Sequence, residues 1–319
     1  MKRPPYELTG KIMHLVVAIS EKIGEVSAVH LNKPTLELRK KSRIKTIQSS
    51  LEIEGNSLST EQVTAILENK RVLAPRKDIL EVQNAIRVYE QIAAFSPYSF
   101  SSLCKAHKVL MKGLTEYPGR CRGRNVGIAK GSKMAHLAPP PALVPSLMKE
   151  LFGYLKKSDE LLLIKSCVFH YEFEFIHPFS DGNGRMGRLW QTLILMEYSE
   201  IFGFLPIESI IRKKQKAYYN ALGLSDKTGK SNAFIEFMLS VILEALEDLL
   251  STQQRVLTFS DRISFFKDSA GKRWFSRLTY LRYYKDIATA TGSRDLKEAV
   301  EQGILEKRGE RNRTEYRYK

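Results

Sequence analysis

One run of this sequence, residues 177–188, reads HPFSDGNGRMGR and combines residue types that could bind a phosphate group. Gly182 and Gly184 would let the backbone approach an anion closely, because glycine has no Cβ atom and tolerates unusual conformations. Arg185 and Arg188 are three residues apart, so they would share one face of a helical turn and offer two guanidinium groups to a polyphosphate. The run therefore predicts an anion site.

Three further side chains in the run extend this anion site toward catalysis. Asn183 adds a side-chain hydrogen-bond donor. Asp181 offers carboxylate oxygens to Mg²⁺, a cation that commonly arrives with the phosphates of a nucleotide. His177 is the side chain in this run that could accept a proton near neutral pH. An anion site, a metal carboxylate and a base within one short run favour phosphoryl or nucleotidyl transfer.

Two helices should hold this run in place. Apolar residues recur at steps of three and four within residues 161–175 and again within residues 186–196, which is the period of an amphipathic or buried helix. The run is thus predicted to be a loop that opens into a helix, whose first turn favours phosphate through its unpaired N–H groups. Within the loop, we expect Pro178 to hold His177 in an extended conformation and Phe179 to anchor the loop in the core.

Another carboxylate of interest lies far upstream. Ser50 and Glu54 are four residues apart on one stripe of a predicted helix, which Gly55 and Asn56 should end. A carboxylate at the C-terminal end of a helix faces the negative end of the helix dipole, so an arginine from elsewhere would stabilise it. From this pattern alone, an ordinary surface carboxylate is the alternative interpretation.

These two segments resemble sequence motifs of one known family. Residues 177–188 match the signature of the Fic (filamentation induced by cAMP) family, His-x-Phe-x-Asp/Glu-Gly-Asn-Gly-Arg-x-x-Arg, at every fixed position. Residues 49–56 resemble the inhibitory motif of the same family, with Ser50, Glu54 and Gly55 in its fixed places. The resemblance covers roughly residues 40–250, which is most of the chain.

The resemblance implies a mostly α-helical Fic-type core with a β-hairpin flap. It also implies a protein adenylyltransferase, which transfers AMP from ATP to a Ser, Thr or Tyr hydroxyl of a protein target. In that reaction His177 would be the base, Asp181 would hold Mg²⁺, and Glu54 would inhibit the enzyme by occupying Arg188. The residues implied to bind the phosphates of ATP are Gly182, Asn183, Gly184, Arg185 and Arg188.

Two other segments acquire roles through the same resemblance. Residues 115–141 contain many glycines and prolines, and residues 126–128 and 135–137 could form two short strands that look like the target-docking flap of the family. A surface loop is the alternative. Tyr219 is implied to lie on the nucleotide-base side, and Asp226 stands where some relatives carry asparagine, which leaves strict ATP preference open. The candidate flap residues are Val126, Gly127, Ile128, Lys130 and Gly131.

The C-terminal segment predicts a winged-helix domain. Residues 287–291 and 294–300 indicate a helix-turn-helix, with residues 293–301 as the recognition helix and residues 308–314 as a basic wing. From Arg255 onward there are 16 lysines and arginines against 9 aspartates and glutamates, and the net charge of +7 suits DNA. Asp295 and Glu298 on the recognition helix argue against DNA, so contact with a protein is equally open.

Composition limits the class of protein. The 319 residues suffice for about two domains. We predict an N-terminal helical region with the inhibitory motif (1–75), a Fic catalytic domain (76–252) and the winged helix (257–319). Apolar runs are short, no signal-peptide core follows Met1, and the three cysteines lack metal-site spacing. We therefore expect a cytoplasmic protein with no membrane partner.

The net charge of +16 favours anionic partners such as nucleotides, nucleic acids or acidic proteins. Members of the Fic family often dimerise, so a homodimer is a further expectation from the resemblance. Two other functions stay open at this point. One is a DNA-binding transcriptional regulator whose Fic core only senses nucleotide, and the other is an enzyme of the same fold that mainly removes AMP from its target.

Overall fold

The computed structural model of the chain describes residues 4–28, 36–130, 133–254, 259–284, 287–310 and 314–319. These residues are mostly helical, which confirms the predicted fold class. The chain divides into two compact units, Met1–Leu250 and Ser251–Lys319. None of the helices described here is long and apolar enough to cross a lipid bilayer.

The first unit contains a helical bundle and one β-hairpin. Its helices are α1 (Gly10–Ala28), α2 (Leu36–Ile53), α3 (Thr60–Leu67), α4 (Arg76–Glu90), α5 (Phe100–Leu110), α6 (Val144–Lys157), α7 (Leu162–Ile176), α8 (Asn183–Met196), α9 (Ile207–Lys213), α10 (Gln215–Thr228) and α11 (Asn232–Gln254), the last of which continues past the unit boundary. Short 3-10 turns lie at Ile92–Ala94, Pro141–Leu143 and Glu200–Gly203. The hairpin consists of β1 (Gly127–Lys130) and β2 (Lys133–Leu137).

One hydrophobic core runs through the whole first unit. It includes Ile12 of α1 and Ile47 of α2 together with Phe169 of α7, Trp190 of α8 and Ile235 of α11. Helix α7 is buried on nearly all sides, as a helix with apolar residues around its full circumference should be. The N-terminal helices therefore share one hydrophobic core with α7 and α8, the helices on either side of residues 177–182.

The hairpin lies where the sequence predicts the flap. Its antiparallel register pairs Gly127 with Leu137 and Ile128 with His136, and an irregularity follows Ile128. Val126 directly precedes β1. Gly131, which the sequence analysis also assigned to the flap, lies outside the described residues.

The second unit has its own small core and sheet. Its elements are α12 (Phe259–Ala270), β3 (Phe275–Ser276), α13 (Arg277–Tyr283), α14 (Thr289–Glu301), β4 (Leu305–Arg308) and β5 (Glu315–Tyr318). The three strands are antiparallel in the order β3-β5-β4. Phe266, Tyr280 and Leu296 are among the buried residues that join the helices to the sheet.

One prediction about this second unit is wrong. Residues 287–291 do not form a separate helix, because α14 begins at Thr289 and continues through Gly292 to Glu301. Gly292 is buried inside the helix, where a Cβ atom would lie 2.6 Å from the side chain of Leu281, so close packing explains the glycine better than a turn does. Asp295 lies on α14, where it is 1% exposed and its carboxylate accepts hydrogen bonds from Arg262.

Candidate active site

The candidate phosphate-binding run, residues 177–188, begins where α7 ends. The N–H of His177 donates to the carbonyl of Phe173 at 2.9 Å, and His177 has φ 49° and ψ 61°, which is the left-handed conformation common at helix C-termini. The expectation of an extended His177 is therefore wrong. A non-glycine residue in this conformation costs about 1–3 kcal/mol, so the surrounding contacts must hold it there.

The loop after His177 is fastened by the side chain of Asn183. Its Oδ1 atom accepts from the N–H of Phe179 and its Nδ2 atom donates to the carbonyl of Phe179, both at 2.9 Å. Phe179 is fully buried, which confirms its expected role as a core anchor. Since the Asn183 side chain is engaged within the loop, its backbone N–H is a better candidate than its side chain for binding phosphate.

His107 supports the loop from α5, and sequence reasoning assigned it no role. Its ring stacks on Phe179 with centroids 3.7 Å apart. Its Nδ1 atom accepts from the N–H of Gly119 at 2.8 Å, and its Nε2 atom lies 3.0 Å from the carbonyl oxygen of Asp181. Burial lowers the pKa of His107 to about 4, so the ring is neutral at physiological pH.

The first turn of α8 has the geometry of an anion site. Gly182 precedes the helix with φ 82°, and its N–H donates to Oδ1 of Asp181 at 2.6 Å. The Asp181 side chain is 53% exposed, so part of its carboxylate faces solvent. The described residues contain no group of three or more metal-ligating side chains. A single exposed carboxylate nevertheless fits Mg²⁺ that is bound mainly through substrate phosphates.

Arg185 is held by two carboxylates, one of which the sequence did not reveal. Its Nη2 atom lies 3.1 Å from Oδ1 of Asp181, and its Nη1 atom lies 3.1 Å from Oε1 of Glu81 on α4. Glu81 also accepts from Nδ2 of Asn56 at 2.8 Å. The signal that could have identified Glu81 is a carboxylate on the otherwise apolar face of α4.

Arg188 is buried and bound to the end of α2. Its Nη2 atom donates to Oε1 of Glu54 at 2.8 Å and to the carbonyl of Ser50 at 2.9 Å, and its Nε atom donates to Oγ of Ser50 at 3.0 Å. Burial alone would lower the pKa of Arg188, but the combined attraction to Glu54, Tyr218 and Glu174 raises it. The sequence-predicted residues Ser50, Glu54 and Arg188 thus lie together.

Glu54 also lies against the backbone of α8. A Cβ atom built on Gly184 would be 2.4 Å from Oε1 of Glu54, so the carboxylate occupies space that only glycine leaves open. This position is in the first turn of α8, where N–H groups and the helix dipole favour negative charge. A carboxylate of the protein therefore lies in a place suited to an anionic ligand.

A second carboxylate, Glu174, lies next to Arg188 with 12% of its side chain exposed. Its Oε1 atom has no hydrogen-bond partner among the described residues, and burial raises its pKa to about 8. His170 lies beside it, with Nδ1 2.6 Å from Oε1 of Gln191 and Nε2 3.1 Å from the hydroxyl of Tyr218. Burial lowers the pKa of His170 to about 3, so this histidine is neutral and serves packing.

The residues predicted on the nucleotide-base side lie on α10. Tyr219 is partly exposed, whereas Tyr218 is buried and packs edge-on against it with ring centroids 5.2 Å apart. Asp226 accepts a hydrogen bond from the hydroxyl of Tyr171 at 3.0 Å. Glu172 is close enough to Asp226 for repulsion to add to burial, and its pKa is raised to about 7. The roles of Tyr219 and Asp226 stay predictions.

Comparison with known proteins gives consistent results. The sequence model of the Fic/DOC family matches residues 97–195. A solved structure of a Fic family protein from Desulfovibrio desulfuricans is 39% identical, with a TM-score of 0.79 over 100% of this chain and 98% of that one. The Fic-1 structure from C. elegans has a TM-score of 0.63 at 19% identity over 76% of this chain and 72% of that one, which supports the fold alone.

Among curated proteins, the protein adenylyltransferase Fic of Culex quinquefasciatus is 28% identical over 233 residues, which cover 69% of this chain and 44% of that protein. A probable protein adenylyltransferase of Aquifex aeolicus is 24% identical over 237 residues, which cover 66% of this chain and 71% of that protein. The chain spans about half the length of the curated insect relatives that it matches.

Proposed function

Because the chain belongs to the Fic family, we propose that it transfers AMP from ATP to a hydroxyl group of a protein target. Insect and bacterial relatives bear the name protein adenylyltransferase, which supports this activity. The observation that carries the proposal is the position of Glu54. Its carboxylate lies against the first turn of α8 and contacts Arg188. A negatively charged group of the protein therefore occupies the place where the polyphosphate of ATP would bind.

The phosphates would be held mainly by backbone and arginine groups of α8. The N–H groups of Gly182, Asn183 and Gly184 would bind phosphate oxygens at the helix N-terminus. Arg185 and Arg188 would bind the β- and γ-phosphates through their guanidinium groups. Asp181 would hold Mg²⁺ on the phosphates, and the bound cation would neutralise part of their negative charge.

His177 would act as the general base. Its imidazole takes the proton of the target hydroxyl while the hydroxyl oxygen attacks the α-phosphorus of ATP. A new bond forms between that oxygen and the α-phosphorus, and the bond from the α-phosphorus to the bridging oxygen breaks. Pyrophosphate leaves with the bonding electron pair, and the target carries AMP.

Glu54 would inhibit this reaction through Arg188. While Arg188 donates to Glu54 and Ser50, it cannot hold the γ-phosphate, and the Glu54 carboxylate repels the incoming phosphates. ATP could then bind only in an unproductive position. The enzyme becomes active when the end of α2 moves away from α8.

The remaining assignments are also part of the proposal. Tyr219 and Asp226 would line the base side of the nucleotide, and the β1–β2 hairpin would add a strand to an extended segment of the target. The protein target and ATP are the proposed partners. A homodimer and a cytoplasmic location rest on the resemblance and on the cysteine pattern.

The test uses ATP that carries a label on either the α- or the γ-phosphate, with Mg²⁺ and a cell extract as the source of acceptor proteins. We expect Glu54→Ala to increase incorporation of the α-label at least about tenfold, since losing a contact worth about 1.4 kcal/mol changes a population tenfold. Label from the γ-phosphate should not be incorporated. The double variant Glu54→Ala/His177→Ala should lose the α-label.

The matched control is Glu52→Ala. Glu52 lies in the last turn of α2, two residues before Glu54, and pairs with Arg212 at 2.6 Å, so this variant removes the same charge without touching Arg188. Transfer of the γ-label would indicate phosphoryl transfer instead. No increase with Glu54→Ala would refute the inhibitory contact, and loss of AMP from a premodified target would favour the AMP-removing enzyme.

A second candidate function belongs to the second unit. We propose that it is a winged helix that binds DNA, supported by the helix-strand-helix-helix-strand-strand order of its elements. One specific observation favours DNA. Asp295 is buried and paired with Arg262, so it does not repel phosphate from the surface of α14. Arg294 and Lys297 are exposed on that helix.

A further inference from the structure

Arg122 is bonded to three successive carbonyl groups around His177. Its backbone N–H donates to the carbonyl of Pro178 at 2.9 Å, its Nε atom donates to the carbonyl of His177 at 2.7 Å, and its Nη2 atom donates to the carbonyl of Ile176 at 3.2 Å. These contacts surround the residue whose left-handed conformation needs external support. Arg122 therefore fixes the backbone direction from which the His177 side chain projects.

The same guanidinium group is bonded to both ends of the flap. Its Nη1 atom donates to the carbonyl of Arg124 at 3.0 Å, just before β1. Its Nη2 atom also donates to the carbonyl of Pro139 at 2.5 Å, just after β2. A displacement of either end of the hairpin must therefore change the hydrogen bonds of the group that holds His177.

Because Arg122 is buried, its guanidinium group must find hydrogen-bond acceptors within the protein. Arg122 is 6% exposed, and burial lowers its pKa, yet an arginine side chain stays protonated in proteins. A buried cation needs its donors satisfied, and here backbone carbonyls satisfy them. The guanidinium spreads five N–H donors over three nitrogens and can reach carbonyls that lie far apart, whereas a lysine carries its three donors on one nitrogen.

We propose that Arg122 is a positioning residue that couples the target-docking flap to the general base His177. When a target segment pairs with the hairpin, the Arg122 guanidinium transmits the position of the hairpin ends to the backbone of His177. The inference rests on the proposed function for what His177 and the flap do. The mechanical link itself is a property of the fold and can be measured without turnover.

The first test is a comparison of Arg122→Lys with wild type by NMR of ¹³C-labelled histidine rings. We expect the His177 resonance to shift or broaden in the variant, because lysine keeps the charge but loses most of the carbonyl contacts. The His170 resonance should stay in place, since this buried ring is bonded to Gln191 and Tyr218. The matched control is Arg120→Lys, an exposed neighbour that should leave both resonances unchanged.

A second variant changes one end of the flap instead of Arg122. Pro139→Gly loosens the second end of the hairpin and leaves Arg122 intact, and coupling predicts that the His177 resonance again moves while that of His170 does not. An unchanged His177 resonance in both variants overturns the proposal. Equal changes of His177 and His170 overturn it too, because they indicate a general loss of structure.

Activity gives an independent readout in the Glu54→Ala background. Arg122→Lys should lower kcat about 100-fold, the cost of a small misplacement of a catalytic group, with KM for ATP within about twofold of the parent. A rise in KM for ATP at unchanged kcat would contradict a positioning role. Failure of Glu54→Ala itself to transfer label would refute the proposed function, and the NMR comparison would still decide the coupling.

Discussion

His107 shows how a single side chain can set the geometry of a loop that it does not belong to. The N–H of Gly119 can only donate, so the Nδ1 atom of His107 must be unprotonated and Nε2 must carry the hydrogen that bonds to the carbonyl of Asp181. The low pKa keeps this tautomer in place across the physiological range. Asp181 and the N–H of Gly182 are thereby held at fixed positions at the start of α8.

His107→Phe tests this role, because phenylalanine can keep the stacking on Phe179 but makes neither hydrogen bond. The partly buried N–H of Gly119 and carbonyl of Asp181 would then lose these partners, at a cost of about 1 kcal/mol for each hydrogen bond. We expect a lower Tm and at least about fivefold weaker binding of Mg²⁺-ATP. Calorimetry measures both quantities.

The control for this variant is His14→Phe, at an exposed position of α1. It should leave both quantities unchanged. If His107→Phe lowers Tm but leaves Mg²⁺-ATP affinity intact, His107 stabilises the fold without positioning the phosphate site.

The sequence indicated the candidate site residues that lie close together in the chain, namely those in residues 177–188. It did not reveal His107, Arg122 or Glu81, which lie 74, 55 and 104 residues from their loop or helix partners. His107 and Arg122 bind backbone carbonyls, and a carbonyl has no sequence signature. Ser50 and Glu54 were predicted only through a known motif, since a carboxylate four residues after a serine is common on helices.

At the level of whole elements, the close crossing of α7 and α8 determines what is buried between them. A Cβ atom on Gly187 of α8 would lie 2.7 Å from Oε1 of Glu174 and 2.9 Å from the ring of His170. Glycine within a helix costs roughly 0.5–1 kcal/mol relative to alanine, and here it permits the approach. The consequence is a carboxyl group enclosed next to Arg188.

Glu174 makes stability depend on pH. Its pKa is raised from 4.5 to about 8, mainly by burial and also by repulsion from Glu54, while attraction to Arg188 opposes the rise. The folded state thus holds a proton that the unfolded state releases above pH 4.5, so the stability is fully present below pH 4.5 and is lost as pH rises through 8.

Glu174→Gln should remove this loss, because glutamine resembles the protonated acid and cannot ionise. One pKa unit corresponds to about 1.4 kcal/mol, and the pKa of Glu174 rises from 4.5 to about 8, so we expect the variant to gain up to about 5 kcal/mol over wild type at pH 8.5 and little at pH 5. Urea unfolding at the two pH values measures the difference.

Glu150→Gln is the matched control, since this exposed residue of α6 should show the same stability as wild type at both pH values. An equal gain for Glu174→Gln at pH 5 and pH 8.5 would mean that packing or hydrogen bonding, not ionisation, explains the effect.

Periodicity predicted α7 and α8 well, because a buried helix repeats its apolar residues at every turn. Predictions from the preferences of single residues were wrong where tertiary contacts determined the backbone conformation. Gly292 looked like a break but lies inside α14. Pro178 disfavours a helical residue before it, yet His177 takes the left-handed conformation because Arg122 binds the carbonyls on both sides.

For the molecule as a whole, charge is concentrated on particular surfaces. Arg308 pairs with Glu315, and Arg317 pairs with Glu306, while both arginines stack on Trp274 at 4.2 and 4.7 Å from its ring centroid. These strand arginines are neutralised by their own carboxylates. On α14, Lys297 lies 3.7 Å from Glu301, a longer contact than the 2.8 and 2.6 Å of the two strand pairs, and Arg294 is exposed, so these two cations are the ones that we propose for DNA.

The double variant Arg294→Ala/Lys297→Ala tests the DNA proposal. Each lost phosphate contact should reduce the slope of log affinity against log salt by about 0.9, so the slope should fall by roughly two. Fluorescence anisotropy with a labelled duplex measures the affinity at salt concentrations between about 50 and 200 mM, and these affinities give the slope.

Lys149→Ala/Lys156→Ala removes the same charge from exposed positions of α6 and should leave the slope unchanged. Absence of salt-dependent binding by the wild-type protein would exclude DNA as the ligand and favour a protein partner for the second unit.

The contact of Glu54 and Ser50 with Arg188 is small, and its size has a quantitative consequence. If this contact stabilises the inhibited state by about 3 kcal/mol, Arg188 is free of Glu54 in roughly one molecule in a hundred. The apparent affinity for productively bound ATP is then weakened by the same factor. In the proposed mechanism, the degree of inhibition would then be set by the ratio of released to inhibited molecules, and a small basal activity would be expected. A tenfold rise in ATP above its dissociation constant in the released form would itself shift molecules toward activity. The cellular ATP concentration would thus affect the inhibition by Glu54 as well as the rate of AMP transfer.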